Sequence, residues 1–319
     1  DKTAFEKMLE IKGDSDHTKL IDMLTDLNDY SIGIEDVLKE HFDEENIVYW
    51  MAFQILMGNV DTQNRNVYLY SPLNSDIWYF IAWDNDGCLM RPEYELRNFS
   101  DQNSWEKGIS NYWGNILFQR CLKSRSFREK LNDAILDLRE YLNKDMLTSK
   151  IESYKNVLKP YLYLMPDAEY EPLTSEQYDQ IAASLPDEIE KNYQLYLESL
   201  ETPMPFYIGV PTIDGDKLKF NWDVSYDLDA EDITYSVEVA GDYLFRDVIY
   251  QNTTLTVPEA EMDLPKAGQY FVRVRATNTS GKTQDAFDYY VTDEGKYYGM
   301  RCFYITEDST VEEDDYEEG

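Results

Sequence analysis

Three polar side chains whose oxygen atoms suit a hard metal ion lie close together in the sequence. Asp61 and Asn66 are five residues apart, and Asp84 comes after a predicted β-hairpin. Aspartate and asparagine oxygens are ligands that octahedral Mg²⁺ prefers. In kinases an Asp, an Asn five residues later and a second Asp beyond a hairpin orient the acceptor hydroxyl and hold the metal. The spacing therefore predicts a magnesium-dependent phosphoryl-transfer site.

Other interpretations of these residues stay open. Each of them is also common in turns and helix caps. The string at 84–87 could begin a calcium loop, but Cys88 stands where an oxygen ligand is needed, and a strand leads in where a helix should. The only histidines, His17 and His41, lie in no nucleophile motif, so hydrolase chemistry has little support. Paired carboxylates for glycoside hydrolysis are not excluded, although no spacing indicates them.

The elements around this site are predicted to be mainly helical, over residues 1–200. The helical segments share apolar residues at three- and four-residue spacing, and Pro160 is expected to end one of them. They are residues 3–12, 17–27, 34–41, 43–58 (with Asp43 as N-cap), 112–122, 127–142, 146–159 and 175–200. The hairpin strands are expected at 67–70 and 77–83, with a polar loop at 91–110.

The pattern changes after two prolines near residue 203. Apolar and polar residues then alternate in the runs 218–224, 233–239 and 270–276, which predicts a β-sandwich over residues 203–306. Residues 297–306 are expected to add an edge strand. The tail at 307–319 holds eight acidic residues in thirteen, so we expect it to be mobile. The fold class is thus multidomain α+β, a helical domain followed by an all-β domain.

Composition narrows the function classes. The 319 residues carry a formal net charge of -34, which disfavours binding to nucleic acid or to an anionic membrane surface. Hydrophobic residues make up 43% of the chain, enough for two packed cores. Three widely spaced cysteines indicate no disulfide framework. No apolar run approaches the roughly 20 residues that cross a bilayer.

The segment 58–87 resembles the CotH (spore-coat protein H) kinase family. Its strings GNVD at 58–61 and WDND at 83–86 are similar to the family's Gly-Asn-x-Asp and Trp-Asp-x-Asp, with an Asn and a Tyr-ending strand between them. The resemblance covers about residues 1–200. It implies the catalytic-loop half of an atypical kinase-like fold, with ATP as co-substrate and Mg²⁺ or Mn²⁺ as cofactor.

The resemblance also implies a role for each matching residue. Asp61 takes the place of the catalytic Asp, and Asp84 that of the metal-binding Asp. Asn66 falls on the auxiliary metal ligand, and Asp86 is a further ligand or supports one. Residues that bind the nucleotide are not assigned, because a kinase holds ATP with a separate lobe carrying a Lys. Only 60 residues precede Asp61, and they look helical. We therefore expect a partial chain, inactive alone, of a longer kinase, with a degenerate relative as the alternative.

The second domain resembles a fibronectin type III module. Trp222, Tyr235, the string LPKAGQY at 264–270 and the following residues 273–281 carry the similarity. Tyr270 is expected to form a tyrosine corner, with its hydroxyl bonded to backbone near Leu264. The resemblance implies either a binding module of a cell surface or a spacer that supports the first domain.

Two functions of different classes follow from these observations. The first is a CotH-like kinase that phosphorylates surface or spore-coat proteins, with an extracellular, cell-surface or spore-coat location in a bacterium. The second is a non-catalytic surface or coat protein that binds other envelope components. Both interpretations take proteins, and no nucleic acid, as partners, and neither includes a transmembrane segment.

Overall fold

The computed structural model describes residues 16–63, 65–97, 104–293 and 295–313 and shows a mixed α+β protein, in agreement with the predicted class. The α-helices in these ranges all precede residue 202. They are α1 (Thr18–Asn28), α2 (Ile34–His41), α3 (Glu44–Met57), α4 (Arg91–Arg97), α5 (Ile116–Lys123), α6 (Arg125–Tyr141), α7 (Lys144–Leu162) and α8 (Ser175–Glu201). The helix predicted at 3–12 lies outside the described residues. Within the described ranges, no helix is long and apolar enough to cross a membrane.

Helix α3 is the centre of the helical region, because apolar side chains cover it on nearly every side. Met51 and Leu56 are fully buried, and α6 and α8 pack against the helix. Its N-cap is Asp43, as predicted, and the Asp43 carboxylate accepts a hydrogen bond from the backbone N–H of Asn46. The helix ends at Gly58, whose φ of 60° is left-handed and costs a glycine little.

The predicted hairpin forms directly beside α3. Strand β1 (Tyr68–Tyr70) pairs antiparallel with β2 (Tyr79–Ile81), so that Leu69 stands opposite Phe80 on the face that packs on the helical core. The Asn46 side chain accepts from the backbone N–H of Phe80 at 2.7 Å and donates to its carbonyl at 3.1 Å. These two bonds fix the hairpin to the first turn of α3.

Three helical segments differ from the sequence prediction, and one of them, the helix expected at 112–122, begins only at Ile116 as α5. Helix α4 occupies part of the predicted loop at 91–110. It starts at Arg91–Pro92, and proline is well tolerated in a first turn, where the backbone N–H has no helical partner. Helix α7 runs through Pro160 to Leu162 instead of stopping at residue 159. Pro160 is exposed and lies two residues from the helix end, so its ring interrupts little and water can satisfy the freed carbonyl.

The β region consists of two main antiparallel sheets and a separate hairpin. The strands are β3 (Thr212–Asp214), β4 (Lys217–Asn221), β5 (Ile233–Ala240), β6 (Val248–Leu255), β7 (Glu259–Asp263), β8 (Gly268–Asn278), β9 (Thr283–Asp285), β10 (Tyr289–Thr292), β11 (Gly295–Tyr298), β12 (Met300–Ile305) and β13 (Val311–Glu313). One sheet has the order β3-β4-β7, and the other has the order β13-β12-β8-β5-β6 with β9 on β8. Leu218 and Phe220 of the first sheet share one core with Val237 and Val274 of the second.

The segment 297–313 has more backbone pairing than the sequence predicts. Residues 297–306, expected as one edge strand, divide at Gly299 (φ 76°) between β11, which pairs with β10, and β12, which pairs with β8. The tail predicted to be mobile from Glu307 turns back at 306–310 and forms β13 on β12. Backbone pairing therefore holds this acidic segment as far as Glu313, and residues 314–319 lie outside the described ranges.

The helical and β regions pack against each other. Met204 and Phe287 of the β region belong to the same apolar core as the helices. Trp105 meets the Phe287 ring edge-on, with 5.1 Å between ring centroids. The Asn278 side chain donates to the carbonyl of Glu201 at the end of α8, at 3.0 Å. The two regions thus share buried contacts.

Candidate functional site

Asp61 lies in a single 3₁₀ turn, Val60–Thr62, just after the left-handed end of α3. Asn59 caps this turn, since its side-chain oxygen accepts the backbone N–H of Asp61 at 3.3 Å. Thr62 closes the turn on its buried side. The Thr62 hydroxyl donates to the carbonyl of Asn59 and lies 3.0 Å from the Tyr112 hydroxyl. Asp61 itself is exposed, so a buried frame presents an open carboxylate.

Asp84 and Asp86 belong to a second short turn after the hairpin. Asp84 has a left-handed backbone, with φ 49°, and leads into the 3₁₀ turn Asn85–Gly87. Two residues on, the N–H of Leu89 donates to the carbonyl of Met57 at 2.8 Å. The second turn is therefore attached to the C-terminal end of α3, beside the first.

The four residues singled out from the sequence come together at this place. The Asn66 amide donates to Oδ2 of Asp61 at 2.7 Å. Repulsion from Asp86, then desolvation, a hydrogen bond with Asp86 and the charge of Asp61 raise the pKa of Asp84 above its usual value. The Asn66 amide thus contacts Asp61, and the charges of Asp61 and Asp86 both act on Asp84.

The donor set fits a hard divalent cation in its chemistry. All the donors are oxygens, and a cation would relieve the repulsion that raises the pKa of Asp84. The side chains do not already form a closed cage, because within the described ranges no group of three or more His, Cys, Asp or Glu has metal-holding geometry. Mg²⁺ sites commonly use one or two carboxylates, with water and phosphate oxygens completing the shell.

Cys88 lies next to this cluster and is partly buried. Burial, and after it the charge of Asp86, raises the pKa of the Cys88 thiol to about 12. The thiol therefore stays protonated at neutral pH, and the thiolate that would react is scarce.

Sequence reasoning missed the amide layer beneath the acids. Gln54, Asn59 and Asn85 bond to one another there, and Gln54 and Asn59 are buried at 0% and 2% exposure. A signal for this layer was present, because Gln54 is a polar residue inside the otherwise apolar run at 47–57. A buried amide in such a run needs a partner.

A second group of polar contacts, made by residues of α4 and α8, holds the C-terminal end of α3. Asn192 on α8 donates to the carbonyl of Leu56 at 2.9 Å and accepts from Arg91 at 2.7 Å. Arg91 also lies 3.4 Å from the buried carboxylate of Glu188. A cavity of about 40 Å³ lies among these residues, enough for a water molecule or two.

The segment 111–113, which contains two aromatic residues, is part of the core. Tyr112 and Trp113 are 1% and 4% exposed. The Asn111 side chain donates to the carbonyl of Val60 at 3.3 Å. These buried residues therefore support the Asp61 turn from inside the core.

Comparison with known proteins identifies the first part of the chain. A family model described as CotH kinase protein matches residues 1–196. A search of curated proteins found no match. Among the solved structures, surface layer protein SbsC, domains 1–6, is similar at 11% identity over 95% of this chain and 39% of that one. Its TM-score of 0.17 is too low to support any argument about the fold.

Proposed function

We propose, from the premise that this chain belongs to the CotH kinase protein family, that its exposed acidic site transfers a phosphoryl group from ATP to a protein hydroxyl when the chain is part of the full-length protein. The observation that carries the proposal is the convergence of Asp61, Asn66, Asp84 and Asp86 on two adjacent turns. Family membership supports a kinase-like function, and the geometry supports these four residues as its site.

The roles follow from the contacts. Asp61 orients the acceptor hydroxyl and takes its proton, because its carboxylate is exposed and is held by the Asn66 amide. Because the side-chain nitrogen of Asn66 donates a hydrogen bond to Asp61, the side-chain oxygen of Asn66 is left to bind the metal. Asp84, supported by Asp86, is the main metal ligand. When bound, Mg²⁺ or Mn²⁺ would neutralise charge on the transferred phosphate.

We propose ATP as the co-substrate, and we assign none of the described residues to binding it. The acceptors we propose are bacterial surface or spore-coat proteins, and the proposed location is therefore extracellular. The formal net charge of -34 suits acceptors with basic segments around the hydroxyl, because such segments are drawn to an acidic surface.

The β region supports a fibronectin type III module as part of this proposal. The three-stranded sheet β3-β4-β7 packs against the larger sheet that contains β12-β8-β5-β6, and the two sheets share an apolar core. The Tyr270 hydroxyl donates to the carbonyl of Lys266 at 2.9 Å, close to the tyrosine-corner bond expected near Leu264. Because this module packs on the helices, we propose that it supports the site region as well as any surface contact.

The test uses two measurements on the full-length protein, transfer of labelled γ-phosphate from ATP and binding of Mn²⁺ followed by EPR. Asp61→Asn should lower transfer by at least about 100-fold while Mn²⁺ still binds, since a catalytic base contributes about that much. Asp84→Ala should weaken both, because it removes the main ligand. Asp76→Ala, at an exposed Asp of the hairpin loop, is the matched control and should change neither.

Label transfer that survives both site substitutions would contradict the proposal. Mn²⁺ binding that depends on Asp84 without any transfer, even with coat proteins added, would favour the non-catalytic binding protein instead.

A further inference from the structure

Three primary amides form a connected layer under the acidic site. Asn59 donates from Nδ2 to Oε1 of Gln54 at 3.0 Å and to Oδ1 of Asn85 at 3.3 Å. Gln54 donates from Nε2 to the same Asn85 oxygen at 3.1 Å. We call Gln54, Asn59 and Asn85 the amide triad. Each member is hydrogen-bonded to the other two, so the three side chains form one connected network.

Two members of the triad, Asn59 and Asn85, each lie next to one half of the acidic site in the sequence. Asn59 precedes Asp61 by two residues and accepts its backbone N–H. Asn85 follows Asp84 directly, in the turn that also contains Asp86. Gln54 anchors both asparagines to α3, where it is completely buried. The separation between Asp61 and the Asp84–Asp86 pair is therefore set through the triad.

The close packing of the second turn supports the same conclusion. A Cβ atom added at Gly87 would lie 2.9 Å from Oδ1 of Asn59, nearer than real Cβ contacts come. The turn with Asp86 thus rests directly on the oxygen that caps the turn with Asp61. Three amides are also a costly way to fill a core, since apolar residues of the same shape need no partners.

We infer that the amide triad is a positioning unit that sets the spacing of Asp61 and Asp84, and thereby the affinity of the site for a divalent cation. This inference rests on the proposed function. The triad touches neither substrate nor metal, and it acts through the two backbone turns. Residues that orient metal ligands in this way typically contribute 10–100-fold to affinity or activity.

The test is Gln54→Met, which keeps the length and volume of the side chain and removes its amide. Mn²⁺ affinity measured by EPR should fall by roughly 10-fold or more, with a melting temperature close to that of the wild type. The Asp61 amide proton should also exchange faster in NMR, because its cap is loosened. Gln284→Met is the matched control, since Gln284 is a buried glutamine at 1% exposure that bonds to Ser104 instead.

Asn85→Ala is the second variant, because Asn85 is only half-buried and its loss disturbs the core least. The double variant should be no weaker in Mn²⁺ binding than the worse single one, since both remove the same unit. Wild-type Mn²⁺ affinity in both single variants, alongside weakened binding in Asp84→Ala, would overturn the positioning role and leave the proposed function intact. Binding that Asp84→Ala does not change would overturn both.

Discussion

Asn66 and Asp84 both have left-handed backbone conformations, with φ of 52° and 49°. Asn and Asp adopt this region more readily than most residues, but it still costs free energy and is found often at functional sites. In this structure Asn66 is hydrogen-bonded to Asp61, and Asp84 leads into the turn that contains Asn85. Two of the residues we assign to the metal therefore have this conformation, and Leu89 beside them has it as well, with φ of 57°.

A different carboxyl group, Asp288 in the β region, gives a test of pH dependence. It accepts from the backbone N–H of Ile208 at 2.7 Å and from Nε of Arg301 at 3.0 Å, and only 7% of its side chain is exposed. Burial raises the pKa of Asp288 above its usual value, and the two bonds offset part of that rise. The native state therefore binds this proton more tightly than the unfolded state does.

We expect the Asp288 contribution to stability to be present below pH 3.8 and to be lost as the pH rises through the native pKa. Asp288→Asn removes this titration and keeps an oxygen for the Ile208 N–H. The free energy of unfolding by urea should therefore favour the wild type over Asp288→Asn more strongly at pH 4 than at pH 7. A difference between the two proteins that does not vary with pH would show that the pKa of Asp288 is not raised.

At the scale of elements, spacing predicted the helices well, and one of the helix ends predicted from a proline, that at Pro160, was wrong. Helices α2 and α6 begin and end within two residues of the predicted bounds. Pro160 did not end α7, because a proline near an exposed helix end removes one hydrogen bond and little else. Whether a proline breaks a helix depends on what surrounds it, and a single sequence does not contain that information.

The position of Pro160 inside α7 leads to a prediction about the free energy of unfolding. Pro160→Ala should restore a backbone N–H that can donate to the carbonyl of Asn156, and it should raise the free energy of unfolding by about 1 kcal/mol. Ser149→Ala, at another exposed position of α7, is the control for helix propensity alone and should give about 0.5 kcal/mol or less. Urea unfolding monitored by circular dichroism measures both. A destabilised Pro160→Ala would mean that the ring itself packs usefully.

At the scale of the whole molecule, the segment with Trp105 joins the β region to the turn that contains Asp61. Trp105 packs on Phe287 and Tyr298. A few residues later, Asn111 and Tyr112 bond to Val60 and Thr62 beside Asp61. Contacts between the two regions therefore continue into the support of the site.

We predict that Trp105→Ala lowers the free energy of unfolding by about 3–5 kcal/mol, since it leaves a large cavity at 6% exposure. Because the two regions share this core, the described part of the chain should unfold in a single transition. Tyr154→Ala, at 63% exposure on α7, is the control and should change stability little. Two separate calorimetric transitions in the wild type would contradict a shared core.

The sequence by itself determined the local features of this protein. Helix and strand periods, the Asp43 cap and the spacing of Asp61, Asn66 and Asp84 depend on neighbours a few residues away, so they can be read from one chain. Tertiary structure alone decided which distant residues meet. Gln54 reaches Asn85, and Asn192 reaches Leu56, only after α3 is packed. The acids could therefore be named from the sequence, whereas the amide triad beneath them and the packing of the β region could not, because contacts between distant segments depend on how the whole chain buries its apolar surface.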